Sequence, residues 1–303
     1  MSLSFLLQLM ISFTAFGASL GEACRTPATS DTPLSRAFDQ AISRFATREA
    51  RALAPRAYVE ALDAVLANSP YAELLNCQTG LPYELAFQDP QNGDADMFVS
   101  ADYGPLGEIT KIELSLNLVK PVSVALFTYL HELVHVCQKR QSQDLLRRYF
   151  AVRGKLKPRE RYYYSTRKDA HARGVRNLEY EAAEAVVARE NYVGEIEAFH
   201  AMYLAYLEFI PQGLTRLCTE PSYRHYAQME ADLVAGQFAQ TILNSYSEND
   251  ADPALYIPES SLRSYFDGAT GQNFLMRRLN DTILEFITKL GIPYRETDDD
   301  SPK

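Results

Sequence analysis

The chain has no tryptophan, only four cysteines and only five histidines in 303 residues. Four cysteines are too few to staple a small disulfide scaffold, and the length, with 47% hydrophobic residues, allows a sizeable apolar core instead. Positive charge is also in deficit. Thirty Lys+Arg stand against 39 Asp+Glu, a formal charge of −9, which excludes a general nucleic-acid binder of net basic character. Internal repeats and low-complexity linkers are absent, so a single domain is favoured. Long apolar runs are missing beyond the N-terminus, which excludes a later transmembrane helix of roughly 20 apolar residues. The first 21 residues lack charge altogether, and the mostly apolar run Leu3 to Gly17 ends in the small residues Gly17, Ala18 and Ser19. That pattern reads as a secretory signal peptide and implies a secreted or periplasmic protein. The expected organisation is a signal over 1–21, one domain over 22–296 and an acidic, disordered tail over 297–303.

Apolar periodicity divides the remainder. Leu34, Phe38, Ile42 and Phe45 share a helical face within Thr32 to Leu53, and Tyr58, Leu62 and Leu66 mark a second helix after Pro55. Tyr83 to Phe87 reads as a short strand. Met97 to Tyr103 and Ile109 to Leu118 read as a hairpin around Gly104-Pro105-Leu106-Gly107. In the second strand Ile112, Leu114, Leu116 and Leu118 alternate with Glu113, Ser115 and Asn117, predicting one wet face. From Pro121 the period changes to helical. Two further helices are expected at Leu178 to Glu190 and Tyr192 to Ile210, meeting near Asn191 and Gly194, and another at Gln272 to Leu290.

Inside the helix after the hairpin lies His131-Glu132-Leu133-Val134-His135. Imidazoles at i and i+4 project from one face about one turn apart, so both can reach one metal ion, and Glu132 is placed to act as a general base. The chance expectation of this pattern at this composition is about 0.01 per chain, and the segment around it is apolar and helical, as the chemistry requires. The competing reading is a pair of buried, hydrogen-bonded histidines.

Through these five residues and the preceding strand Ile112 to Leu118, the sequence resembles the zincin metallopeptidases over roughly Met97 to Ile210. The resemblance implies a mainly helical α+β fold, zincin-like, with a small antiparallel sheet packed on the motif helix. It also implies a Zn2+-dependent hydrolase, a metallopeptidase with Glu132 as base, acting on a peptide or protein substrate that pairs with the wet edge of Ile109 to Leu118. A catalytic zinc needs a third protein ligand. The metzincin type would place a His shortly after a Gly, but Val136-Cys137-Gln138-Lys139-Arg140 contains neither, so a Glu from a later helix is expected. Glu195 lies on an apolar stripe with Phe199, Met202, Tyr206 and Ile210 and is preferred. Glu179, in a stripe with Ala182, Ala183 and Val186, is the rival; Glu181 and Glu197 are further candidates. Glu195-Ile196-Glu197-Ala198-Phe199 resembles the Glu-x-x-Ala-Asp signature of some gluzincins, with Phe199 where Asp would stand, so the usual contact of that Asp to a ligand histidine is in question. Tyr103, His200 and Tyr203 are imaginable oxyanion helpers with nothing to choose among them.

Residues 139–176 carry about +10, leaving about −19 for the remainder. This stretch is either a solvated insertion or a cationic rim for an anionic substrate, and in a non-catalytic binding protein on the same framework it would be the recognition surface. Cys137 lies about 200° round the helix from His135, facing away from a metal there. A secreted location favours disulfides among Cys24, Cys77, Cys137 and Cys218, with three pairings open.

Overall fold

Capping residues set the frame of the helices. In a computed structural model of the chain, which describes residues 19–26, 31–80, 83–88, 97–165 and 177–234, Ser19 opens α1 (Leu20–Ala23) and Thr32 opens α2 (Pro33–Arg44). Thr47 opens α3 (Arg48–Leu53), each of these hydroxyls accepting a backbone N–H of the first turn. The periodic stretch expected over Thr32 to Leu53 is therefore two helices, divided at Phe45 to Thr47. α4 (Pro55–Ala67) starts with proline at its first position, where the missing N–H costs nothing. A 3-10 segment, Ala72–Gln78, leads to the strands β1 (Tyr83–Gln88), β2 (Phe98–Tyr103) and β3 (Ile109–Asn117). The remaining elements are α5 (Val122–Gln141), α6 (Gln143–Lys155), α7 (Pro158–Ser165), α8 (Leu178–Phe209), a 3-10 segment Thr215–Thr219 and α9 (Tyr223–Val234). The fold is thus mainly helical α+β.

The sheet departs from expectation in two ways. Its order is β1-β3-β2, and β1 runs parallel to β3, with Tyr83 opposite Ile112 and Gln88 opposite Asn117. The sheet is therefore mixed, not antiparallel: the hairpin fixes only β2 against β3, and nothing in the short β1 sequence specifies its direction. Because β3 is central, both its edges are paired, and the free edge expected on it belongs instead to an outer strand. The alternation of β3 also fails at its C-terminal end, where Ser115 and Asn117 are buried beside Leu114 and Leu116. Asn117 uses its side-chain oxygen to accept the N–H of Val119.

The chain packs as two compact units. The first comprises, of the described residues, those up to Asp102, Ile109–Gln141 and those from Gly194 onward. Its centre is α5, in which the run from Leu130 to Val134 is buried on every side, the mark of an interior helix. Phe127 packs on Tyr206, Phe209 and Tyr226 with ring centroids 5.1–5.8 Å apart, which holds the C-terminal part of α8 and α9 against α5. Tyr129 donates to Asp63 on α4 at 2.6 Å. The buried Arg51 donates to the carbonyls of Phe45, Ala46, Leu118 and Val119, closing the α2–α3 joint over the end of β3. Disulfides Cys24–Cys218 and Cys77–Cys137 use all four cysteines. The second of these ties the 3-10 segment Ala72–Gln78 to α5.

The second unit comprises, of the described residues, Tyr103–Glu108 and those within Ser142–Val193. Val152, Leu156, Tyr180 and Ala183, with Tyr149, form its described apolar cluster. Gly107 sits at φ +78° with the Arg147 backbone 2.7 Å from where a Cβ would be, so the turn closes on α6 only with glycine there. Much of the basic stretch lies here, and part of its charge is paired, Arg147 with Asp144 and Lys155 with Glu179. Residues 166–176 of that stretch, residues 1–18 of the signal expected over 1–21, the helix Gln272 to Leu290 and the tail 297–303 lie outside the described residues. No described helix is long and apolar enough to cross a membrane.

Candidate metal centre

The i, i+4 spacing on α5 places the two motif imidazoles against each other, with Nε2 of His131 3.0 Å from Nε2 of His135. The expected junction near Asn191 and Gly194 is not a break: α8 runs unbroken from Leu178 to Phe209. On it Glu195 faces the pair, Oε2 standing 3.4 Å from His131 Nε2 and Oε1 3.3 Å from His135 Nε2. Among the described residues His131, His135 and Glu195 form a group that could hold a metal ion, their ligand atoms all within 4.8 Å of one another. Two donors on one tetrahedral ion at 2.0–2.1 Å stand about 3.3 Å apart, so separations of 3.0–3.4 Å suit three corners of such a site. The donor set also asks for a cation. Imidazole lone pairs and a carboxylate converge on one point, an arrangement that is repulsive without a shared proton or a metal.

Electrostatics differ among the members. Burial holds His131 below the ordinary histidine value against the pull of Glu195. Burial also opposes charge on His135, but its hydrogen bond to Glu195 and the charges of Glu195 and Glu132 together raise it. Glu132 is buried, and desolvation pushes its carboxyl up to about 7; the charge of His135 and a backbone hydrogen bond from Val99 on β2 act the other way.

The other expected residues sort clearly. Glu179 is exposed and paired with Lys155 at 3.1 Å, outside the ligand group. The side chain of Glu181 is not among those described. Glu197 also lies outside that group; it accepts a hydrogen bond from Gln138 at 3.0 Å, and burial raises its carboxyl. Phe199 stands with its ring centroid 4.5 Å from that of His131, edge to face. Tyr203 donates to Glu230, Tyr103 packs on Phe150, and His200 is held by burial at about 4. Cys137 is in a disulfide, as its phase away from the histidines suggested. Gln138 escaped the sequence reading although it sits three residues after His135, a spacing that places two helical side chains side by side; its Oε1 lies 2.8 Å from His135 Nδ1. The chain matches no protein-family model, and no curated protein or solved structure matches it either.

Proposed function

We propose that the protein is a zinc-dependent hydrolase of the zincin type, a metallopeptidase in which His131, His135 and Glu195 hold the ion and Glu132 is the general base. The observation that carries this reading is the convergence within 4.8 Å of two imidazole nitrogens from α5 and one carboxylate from α8, with α5 also presenting a buried carboxyl one residue after the first histidine. A bound zinc would lower the pKa of an attacking water towards about 7 and polarise the scissile carbonyl. Glu132, desolvated beside this centre, takes up the proton and returns it to the leaving amine. The Val99 N–H, pointing at Glu132 from β2, holds the base next to an outer strand of the described sheet. An extended polypeptide pairing with β2, rather than with the central β3, would pass beside the base. Two disulfides and the uncharged N-terminal run favour a secreted or periplasmic setting.

Metal analysis of the purified protein beside its His131→Ala and Glu132→Gln variants tests this reading. Stoichiometric zinc is expected in the parent and in Glu132→Gln but not in His131→Ala, and peptide hydrolysis only in the parent. A parent without zinc would sink the metal assignment. Zinc with no hydrolysis of any peptide library would leave a metal-bearing binding protein instead.

A further inference from the structure

We infer that Gln138 is a positioning residue that fixes the tautomer and orientation of His135, and that Gly194 is glycine because α8 must admit the Gln138 amide. The inference rests on the metal reading above for its consequence, but its premises are hydrogen bonds. Gln138 Nε2 lies 3.0 Å from the carbonyl oxygen of Gly194 and 3.0 Å from Oε2 of Glu197. A backbone carbonyl can only accept, so the amide end facing α8 must be the NH2 group, whose two hydrogens serve these two acceptors. The opposite end, Oε1, then faces His135 Nδ1 at 2.8 Å and can only accept there. Nδ1 must therefore carry a hydrogen, and in the neutral ring Nε2 is left with its lone pair directed at His131 and Glu195. Turning the amide over would set its oxygen against the Gly194 carbonyl and the Glu197 carboxylate, losing both contacts to α8.

Gly194 completes the device. A Cβ built there would lie 2.7 Å from Gln138 Oε1 and 3.2 Å from Cδ. A glycine inside a helix forfeits helix propensity relative to alanine, so its presence in α8 needs a packing reason, and the approach of Gln138 supplies one. The atoms that alanine would displace are the end of a flexible side chain, so the chain should still fold while the amide is pushed off His135.

The test reads both ends of this chain of contacts. In metal-free protein labelled with 15N-histidine, at a pH where the ring is neutral, His135 is expected to show the Nδ1–H tautomer. Gln138→Met and Gly194→Ala should give a tautomer mixture and bind Zn2+ about 10–100-fold more weakly in competition with a chromophoric chelator, with cooperative melting retained. Gly194→Ala is the sharper variant, because helix propensity predicts a melting temperature equal to or above the parent while affinity falls. An Nε2–H tautomer in the parent, or parental tautomer and affinity in both variants, overturns the inference. His131→Ala, run alongside, separates the two levels. If it binds Zn2+ like the parent, the metal reading fails, while the tautomer result still decides whether Gln138 orients His135.

Discussion

The ring of Phe199 stands edge to face on the ring of His131, centroids 4.5 Å apart, and Nδ1 of His131 is buried with no hydrogen-bond partner among the described residues. The two histidines of the candidate metal centre are thus supported differently, His135 by an amide oxygen and His131 by an aromatic contact. An acceptor on Nδ1 raises ligand basicity and fixes the ring, and losing one commonly costs 10–100-fold in metal affinity. Supplying one should act in the opposite sense. Phe199→Asp is expected to tighten zinc binding several-fold while lowering the melting temperature, because a half-buried aromatic contact is exchanged for a carboxylate. Chelator competition and thermal melting read the two effects separately, and weaker binding together with lower stability would show that Phe199 contributes packing alone.

Glu195 and Glu179 open the same local pattern, Glu-x-Glu-Ala, and helical phase alone made Glu195 the preferred ligand and Glu179 its rival. Their surroundings separate them: Glu195 faces both imidazoles within 3.4 Å, and Glu179 pairs with Lys155 in solvent. Glu195→Gln replaces a charged ligand oxygen with a neutral one and should reduce zinc retention after dialysis to background. Glu179→Gln should keep the parental content and change stability little, since exposed pairs contribute about 0–1 kcal/mol. Metal quantification on both variants decides, and the reverse result would transfer the ligand role.

What was legible follows from how local each signal is. His131, Glu132 and His135 were readable because one helix carries all three at a fixed spacing, and Glu195 because helical phase points it inward. β3 misled at its C-terminal half, where Ser115 and Asn117 are covered by elements that no period along the strand reveals. The parallel direction of β1 is likewise a long-range property. Gly194 looked like a helix junction when read alone. Its meaning depends on Gln138, 56 residues away in sequence, so the helix boundary and the support of His135 were hidden by the same missing contact.

Arg51 was not singled out by any motif, yet its buried guanidinium donates to four carbonyls from two segments. Arg51→Met keeps most of the stem volume and strands those oxygens, two of them at the end of the strand preceding α5. Hydrogen bonds from a charged donor contribute about 1.5–3 kcal/mol each but not additively, so a loss of about 3–5 kcal/mol is expected. Urea unfolding measures it; a loss under about 1 kcal/mol would mean that water satisfies these carbonyls in the variant.

Acid sensitivity should trace in part to His200. Burial holds this ring at about 4, below the ordinary 6.5, so the folded state keeps it neutral where the unfolded chain is protonated. For a depressed histidine the stability is fully present above about 6.5 and is lost as pH falls towards 4, where the folded ring also takes up its proton. At about 1.4 kcal/mol per pH unit, a fall from about 6.5 to about 4 corresponds to about 3.5 kcal/mol at most, and to less because the ring is not wholly sealed from solvent. His200→Phe removes the titration while keeping an aromatic ring in the site. Its melting temperature relative to the parent should therefore rise as pH is lowered from 7 to 4, in metal-free protein so that zinc release does not contribute. A difference that stays constant across that range would show that His200 titrates normally, and that acid lability comes from other groups.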